Sequence, residues 1–303
     1  MHEAFKVAKW EFSQNLKDKQ FLFVTFLIPI IMLGTGALAV WMSSMPVREL
    51  PYGGRAPLDA PEELKAMLDK VVSVGFAFLF MFVALMSGTL VAQNVIKEKQ
   101  SRVVEILLSS ISPQKLMAGK ILGFGGLGLV QAAIWASMAL FLLFGFGSYL
   151  GLPAILEPGL LKKLPWGKVL LYLPYFVLGY LLIASLSAGI GATMKDYLSG
   201  NQLLVSLLLL PAMLPFMLYG LILTDPHHII VRTFSFVPPT MPGVIMLRTS
   251  AASVPSGEIV ATLVVLAFSV LLAMRLAGKI FQTGVLLYGK SASLKEIWRW
   301  MRA

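Results

Sequence analysis

Apolar residues fall along this chain in long uncharged blocks, not in alternation. Charge-free runs cover 20–47, 71–96, 121–156, 169–194 and 197–224, and a shorter one covers 259–274. Each of the first five exceeds the ~20 residues that an α-helix needs to cross ~30 Å of hydrocarbon. The sixth reaches that length over 256–278 when Glu258 and Arg275 snorkel from its ends. Membrane-crossing strands would show a polar residue at every second position, and these runs do not. The pattern predicts an all-α membrane protein with six transmembrane helices, near 21–45, 71–96, 117–145, 169–194, 201–223 and 256–279. Residues 1–303 then make one transmembrane domain. The apolar run before Ala37-Leu38-Ala39 is too long for a leader sequence and reads as the first span.

The segments between the runs carry their own periodicity. Residues 1–20 read as an amphipathic helix at the membrane interface, with Phe5, Ala8, Phe12 and Leu16 on one face and lysines around it. Residues 290–303 repeat this: Ser293 and Glu296 have capping-box spacing, and Leu294, Ile297, Trp298 and Met301 form an apolar side. The loop 46–70 is rich in proline and glycine, then turns helical at Pro61 with Glu62 and Glu63 in the first turn. Residues 225–255 hold five prolines yet are otherwise strongly apolar, which predicts a re-entrant segment packed against protein before the last span. Within 97–115, Lys97–Leu108 favours helix, Ser109-Ser110-Ile111 breaks it, and Ser112 and Pro113 suit the N-cap and first position of the next helix. A short helix rigidly joined to two spans has the form of a lever.

Charge settles the expected orientation. If the N-terminus is inside, 16 of the 25 basic residues face the cytoplasm, so the positive-inside rule places both termini there. An even number of spans likewise puts the two termini on one side. The +10 net charge is thereby a topology signal and not a nucleic-acid footprint. Hydrophobic residues make up 57% of the chain and charged ones 13%, about half the charged share of a soluble domain. Cysteine is absent, which excludes thiol catalysis and thiolate metal sites.

Two nucleotide-binding patterns occur and neither has the surroundings its chemistry needs. Gly284 to Ser291 fits GxxxxGK followed by Ser or Thr, but an apolar span precedes it and four bulky residues fill the cradle. Gly123, Gly125 and Gly128 fit GxGxxG inside an apolar run; with Gly119 they read as a close-packing helix face, as do Ala184, Ala188 and Ala192. The adjacent His227 and His228 lack nearby carboxylates and read as a loop feature, so no metal site is expected. No Asp, Glu, Lys or Arg lies well inside a span. Polar candidates for a pathway or interhelical bond are Gln93, Asn94, Gln131, Asn201 and Gln202. A self-contained ion-coupled secondary transporter would need titrating groups at depth, and a non-transport scaffold would not need a lever. Energy for transport is expected from outside the chain.

The sequence resembles the permease subunits of type-two ATP-binding-cassette exporters, and within them the NatB-like sodium-extrusion permeases. The resemblance lies in AKWEF at 8–12, EKQSRVVEILLSSISPQKLMAGK at 98–120, SFVPPTMPGVIMLR at 235–248 and GVLLYGKSASLKEIWRWMR at 284–302. It implies that 97–115 is a coupling segment, with Lys97, Glu98, Arg102, Glu105, Ser112 and Pro113 facing an ATPase and Glu105 matching the family's glutamate. It also implies that 1–20 is the connecting helix. The implied assembly has two permease copies and two cytoplasmic ATPase subunits in a prokaryotic inner (plasma) membrane. ATP and magnesium would sit on the partner, with no cofactor here, and the cargo would be sodium, another cation or a small drug-like molecule. Such permeases often carry a large outer domain between the first two spans, where this chain has 46–70 alone.

Overall fold

The computed structural model describes residues 2–27, 30–31, 61–101, 103–146, 164–194 and 197–285. Its helices are α1 (His2–Leu16), α2 (19–27), α3 (Pro61–Gln100), α4 (Val103–Ser110), α5 (Pro113–Phe146) and α6 (Trp166–Thr193). They continue with α7 (Tyr197–Met217), α8 (Tyr219–Thr224), α9 (Ile229–Phe236), α10 (Met241–Ala251) and α11 (Ser256–Val285). No strand occurs among the described residues.

Local sequence explains several of these ends. Proline at the first position and two acids in the first turn suit the N-terminus of α3 at Pro61. Asp18 starts α2 by accepting the Gln20 N–H at 2.7 Å and the Phe21 N–H at 3.3 Å. The carbonyl of Ser112 accepts the Leu116 N–H at 3.0 Å, so the Ser112-Pro113 start expected for α5 is the one observed.

Among the described residues four helices are long and apolar enough to cross a membrane: Leu68–Gln100, Pro113–Phe141, Trp166–Thr193 and Ser256–Gly284. The expected first span begins as α2, and its remainder, like 290–303, falls outside the described residues. The expected fifth span is divided. α7 contains Pro211 and Pro215, ends at Met217 and gives way to the short α8. Neither proline offers an N–H to the ladder.

α6 is the centre of the bundle, packed most extensively on α11 and α3, while α10 rests on α3 and α1 lies along α5. Every fourth residue of α6 from Tyr172 to Ala192 is buried, and the Ala184, Ala188 and Ala192 stripe belongs to that face. α11 instead exposes Val260, Val264, Phe268, Leu271 and Leu272, a stripe whose natural solvent is hydrocarbon. The segment 225–255 folds as α9 and α10, turned back on each other by the Thr240 hydroxyl donating to Phe234 O at 2.8 Å. Met241 and Val244–Leu247 of α10 have no exposed surface, as expected for an apolar segment packed against protein.

Candidate functional site

At one end of the bundle the chain leaves α3, makes α4 and enters α5. Lys97–Leu108 was expected to be one short helix, but α3 itself runs on to Gln100. Lys97 and Glu98 therefore belong to its last turn, and the separate helix begins at Val103. The break is local: the Ser101 N–H is shared between the carbonyls of Lys97 and Glu98 at 3.1 Å each, and its hydroxyl bonds Glu98 O at 2.9 Å. Val104 is buried, Leu108 and Ile111 are partly buried against the core, and Ser109, Ser110 and Ser112 are exposed. α4 thus has an inward and an outward face. Arg102 and the side chain of Glu105 lie outside the described residues; Pro113 opens α5, half-buried.

Behind α4 lies a buried charge cluster that sequence reasoning missed. Lys120, 1% exposed, binds Glu11 of α1 and, at 2.6 Å, Glu98 of α3, whose side chain is 22% exposed. Asn15 completes Glu11 with a 3.0 Å bond from its amide. The second oxygen of Glu98 is buried without a hydrogen-bond partner. Next to Glu98 in sequence, Lys99 Nζ donates to Ala192 O at 3.0 Å and Met194 O at 3.3 Å, closing the carbonyl end of α6. Lys115 and Glu3 form an exposed pair at 2.7 Å.

α1 reaches this cluster because α5 is stripped of side chains where they meet. A Cβ on Gly119 would lie 2.5 Å from Ala4 O, and one on Gly123 would lie 2.8 Å from Ala8 O. Gly128 gives the same clearance to the Tyr180 ring, whose hydroxyl bonds Ser87 and Phe124 O, the latter at 2.9 Å. The GxGxxG pattern is a helix-docking surface. The face of α1 that docks holds Ala8 and Glu11, while Phe5 is 70% exposed and Trp10 is exposed as well. Gly284 sits inside α11 with Ala192 O 2.6 Å from where its Cβ would be, so a phosphate loop does not start there.

The polar candidates separate. Gln93 accepts from Gln20 at 2.9 Å, joining α2 to α3, and Asn94 donates to Leu90 O at 3.0 Å within α3. Gln131 is buried with neither amide atom bonded. The side chains of Asn201 and Gln202 lie outside the described residues. No group of three or more metal-ligating side chains occurs among the described residues.

A second buried ion pair holds the opposite end. Arg248 of α10 binds Glu258 of α11, donates to Pro226 O at 2.7 Å, and meets Ser235 Oγ at 3.3 Å and His227 Nδ1 at 3.4 Å. His228 caps α9 by accepting the Ile230 N–H at 3.2 Å. Close by, the Tyr172 hydroxyl is hydrogen-bonded to Ser73 at 2.6 Å and Thr249 at 2.7 Å, and Lys168 pairs with Asp69 at 2.9 Å. Arg248 stands alone in an apolar block ten residues before Glu258, and that isolation was the available signal. Lys120 gave a weaker one, flanked by small residues at Gly119 and Gly123.

Comparison with known proteins bears on both ends. The family described as ABC-2 family transporter protein matches residues 55–279. An uncharacterized protein of Methanocaldococcus jannaschii is 34% identical over 241 residues, 78% of this chain and 55% of that protein. The uncharacterized protein YhaP of Bacillus subtilis is 28% identical over 277 residues, 88% of this chain and 64% of its own. The chain thus spans well under the full length of either relative.

Proposed function

This chain belongs to the ABC-2 transporter family, and from that premise we propose that it is the membrane-spanning permease subunit of an ABC-type exporter. Membership supports a transport-subunit role, and in this proposal ATP is hydrolysed on a partner ATPase. In this reading two copies form the pathway, two ATPase subunits bind from the cytoplasm, and six spans place both termini inside. The observation that carries it is the seating of α4. The helix is held between the ends of two bundle helices, and those ends are clamped to α1 by Lys120. A push on α4 would therefore move α3, α5 and α1 together. The grouping of Lys97, Lys99, Lys115, Lys120, Arg275 and Lys279 in the segments expected inside supports the orientation.

The test is purification from membranes of the native host. An ABC ATPase should accompany the chain in equal molar amount, and recovery of the chain without one overturns the proposal. The NatB-like resemblance supports sodium as cargo. Inverted vesicles bearing the complex should then accumulate sodium when given ATP, and ATP hydrolysis without sodium uptake would leave the permease assignment standing and remove the cargo.

A further inference from the structure

Lys120 is one cation between two acids, and the two acids are not equally provided for. Both oxygens of Glu11 are occupied, one by Lys120 and the other by the Asn15 amide at 3.0 Å. Glu98 shares the same ammonium through one oxygen at 2.6 Å, while its second oxygen is buried and meets no donor. Two carboxylates against one ammonium leave the cluster one negative charge in excess. A buried charge without a partner is costly, and the group that carries it tends to neutralise instead.

The surroundings supply no second cation. The charges that act on Glu98 are Lys120 from α5 and Glu11 from α1. On α3 itself Lys99 is turned to the carbonyls of Ala192 and Met194, and Lys97 is exposed. Lys115 is taken by Glu3. α4 adds Arg102 and Glu105, one of each sign, whose side chains lie outside the described residues. Glu98 stands past residue 96, where the expected span ends, and part of its side chain is open to water. Burial there holds its carboxyl above the usual carboxylate range, against the pull of Lys120.

We propose that Glu98 carries a proton while α1 is seated, so that docking of α1 on α5 takes up one proton from the cytoplasm. The proton binds the unpartnered oxygen of Glu98, Lys120 and Glu11 remain an ion pair, and the cluster becomes neutral. Lys120 still donates to the other Glu98 oxygen, now a carbonyl. When α1 lifts, Glu11 leaves with it, Glu98 has Lys120 and water to itself, and the proton departs. The seat is a pH-sensitive latch, tighter in acid and looser in alkali. As regulation of the permease this rests on the proposed function, because α4 would push on a stiffer or slacker frame; the latch itself needs this chain alone.

The sign follows from which state holds the proton. An unfolded chain releases it above about pH 4.3, the ordinary glutamate value, while the folded chain keeps it. Beyond that point the folding equilibrium falls by up to about tenfold per pH unit, until Glu98 ionises in the folded chain too.

Thermal unfolding of the full chain in detergent, followed across this range for wild type and Glu98→Gln, reads the latch. Glutamine copies the protonated acid, so the two Tm curves should coincide in acid and separate as pH rises, with wild type the lower. Glu11→Gln keeps the unprovided oxygen of Glu98 and should be less stable than Glu98→Gln at neutral pH. Infrared spectra of wild type should show a buried carboxylic-acid carbonyl band at neutral pH that fades in alkali, a measurement that needs no variant to fold. Parallel Tm curves for wild type and Glu98→Gln, or no such band in wild type, overturn the inference. So does the reverse order of the two variants, which would put the proton on Glu11. Failure of an ATPase to copurify removes the permease and leaves each of these outcomes as it stands.

Discussion

Lys120 satisfies two carboxylates from two different helices, so its loss is unlike the loss of either acid. Lys120→Met leaves Glu11 and Glu98 facing each other in a buried site. Breaking a buried pair from one side costs about 3–5 kcal/mol. Thermal unfolding of the purified chain in detergent should show a clear drop in Tm, and adding Glu11→Gln and Glu98→Gln should recover much of it. A Tm unchanged by Lys120→Met would mean the cluster carries no net stability. Arg248 offers a sharper comparison. Its Nε and terminal nitrogens address Pro226 O and Glu258 in different directions, which one ammonium cannot reproduce. Arg248→Lys should therefore fall closer to Arg248→Ala than to wild type in the same unfolding assay.

Among the elements, α4 and α1 carry the argument. Glu105→Ala is predicted to leave membrane insertion intact and to weaken association with the ATPase. A desolvated charge across that contact is worth ~2–5 kcal/mol, against a few tenths for a pair within one helix. Copurification yield and stimulated hydrolysis check it; wild-type values for both would leave Glu105 a local helix residue. Gly123→Leu is predicted to lift α1 from α5, because a Cβ there already crowds Ala8 O, and limited proteolysis near residues 9–17 should then quicken. The long helices were legible from uncharged runs because nothing in an apolar block of that length competes with helix. The start of α4 was not. Residues 97–102 are all polar and 103–108 all apolar but for Glu105, a pattern that marks no helix end, and the break comes from one serine that diverts its own N–H and hydroxyl to the turn before it. The docking face of α1 was half legible: Ala8 was expected on the apolar face, while Glu11, which helical spacing puts beside it, was not singled out.

Across the whole molecule the strongest expectation is topological. Cysteines introduced at Ser101 and Ser293 should resist impermeant thiol reagents in intact cells, and one at Pro57 should react. Labelling at Ser293 from outside would sink the arrangement of six spans with both termini in the cytoplasm. Counting charge-free runs places charges by definition in the flanks, which is why Lys99, Lys120 and Arg248 read as loop or boundary residues. Tertiary packing instead draws them inside at both ends of the bundle, where each finds carbonyls or carboxylates from another helix.

The seat of α1 also sets an order in time. α1 leaves the ribosome before its seat exists, because Gly119, Lys120 and Gly123 that receive it are made more than a hundred residues later. Through that interval Glu11 lacks Lys120, its partner in the folded chain, and the helix needs a temporary berth. Phe5 and Trp10, which stay on the outside afterwards, suit one at the lipid headgroups. Docking is then a late step of biogenesis that retires a surface-bound helix into the folded chain. An Ala8→Cys nascent chain arrested before residue 110 should be open to thiol reagents from the cytoplasmic side, and the released full-length chain should protect it.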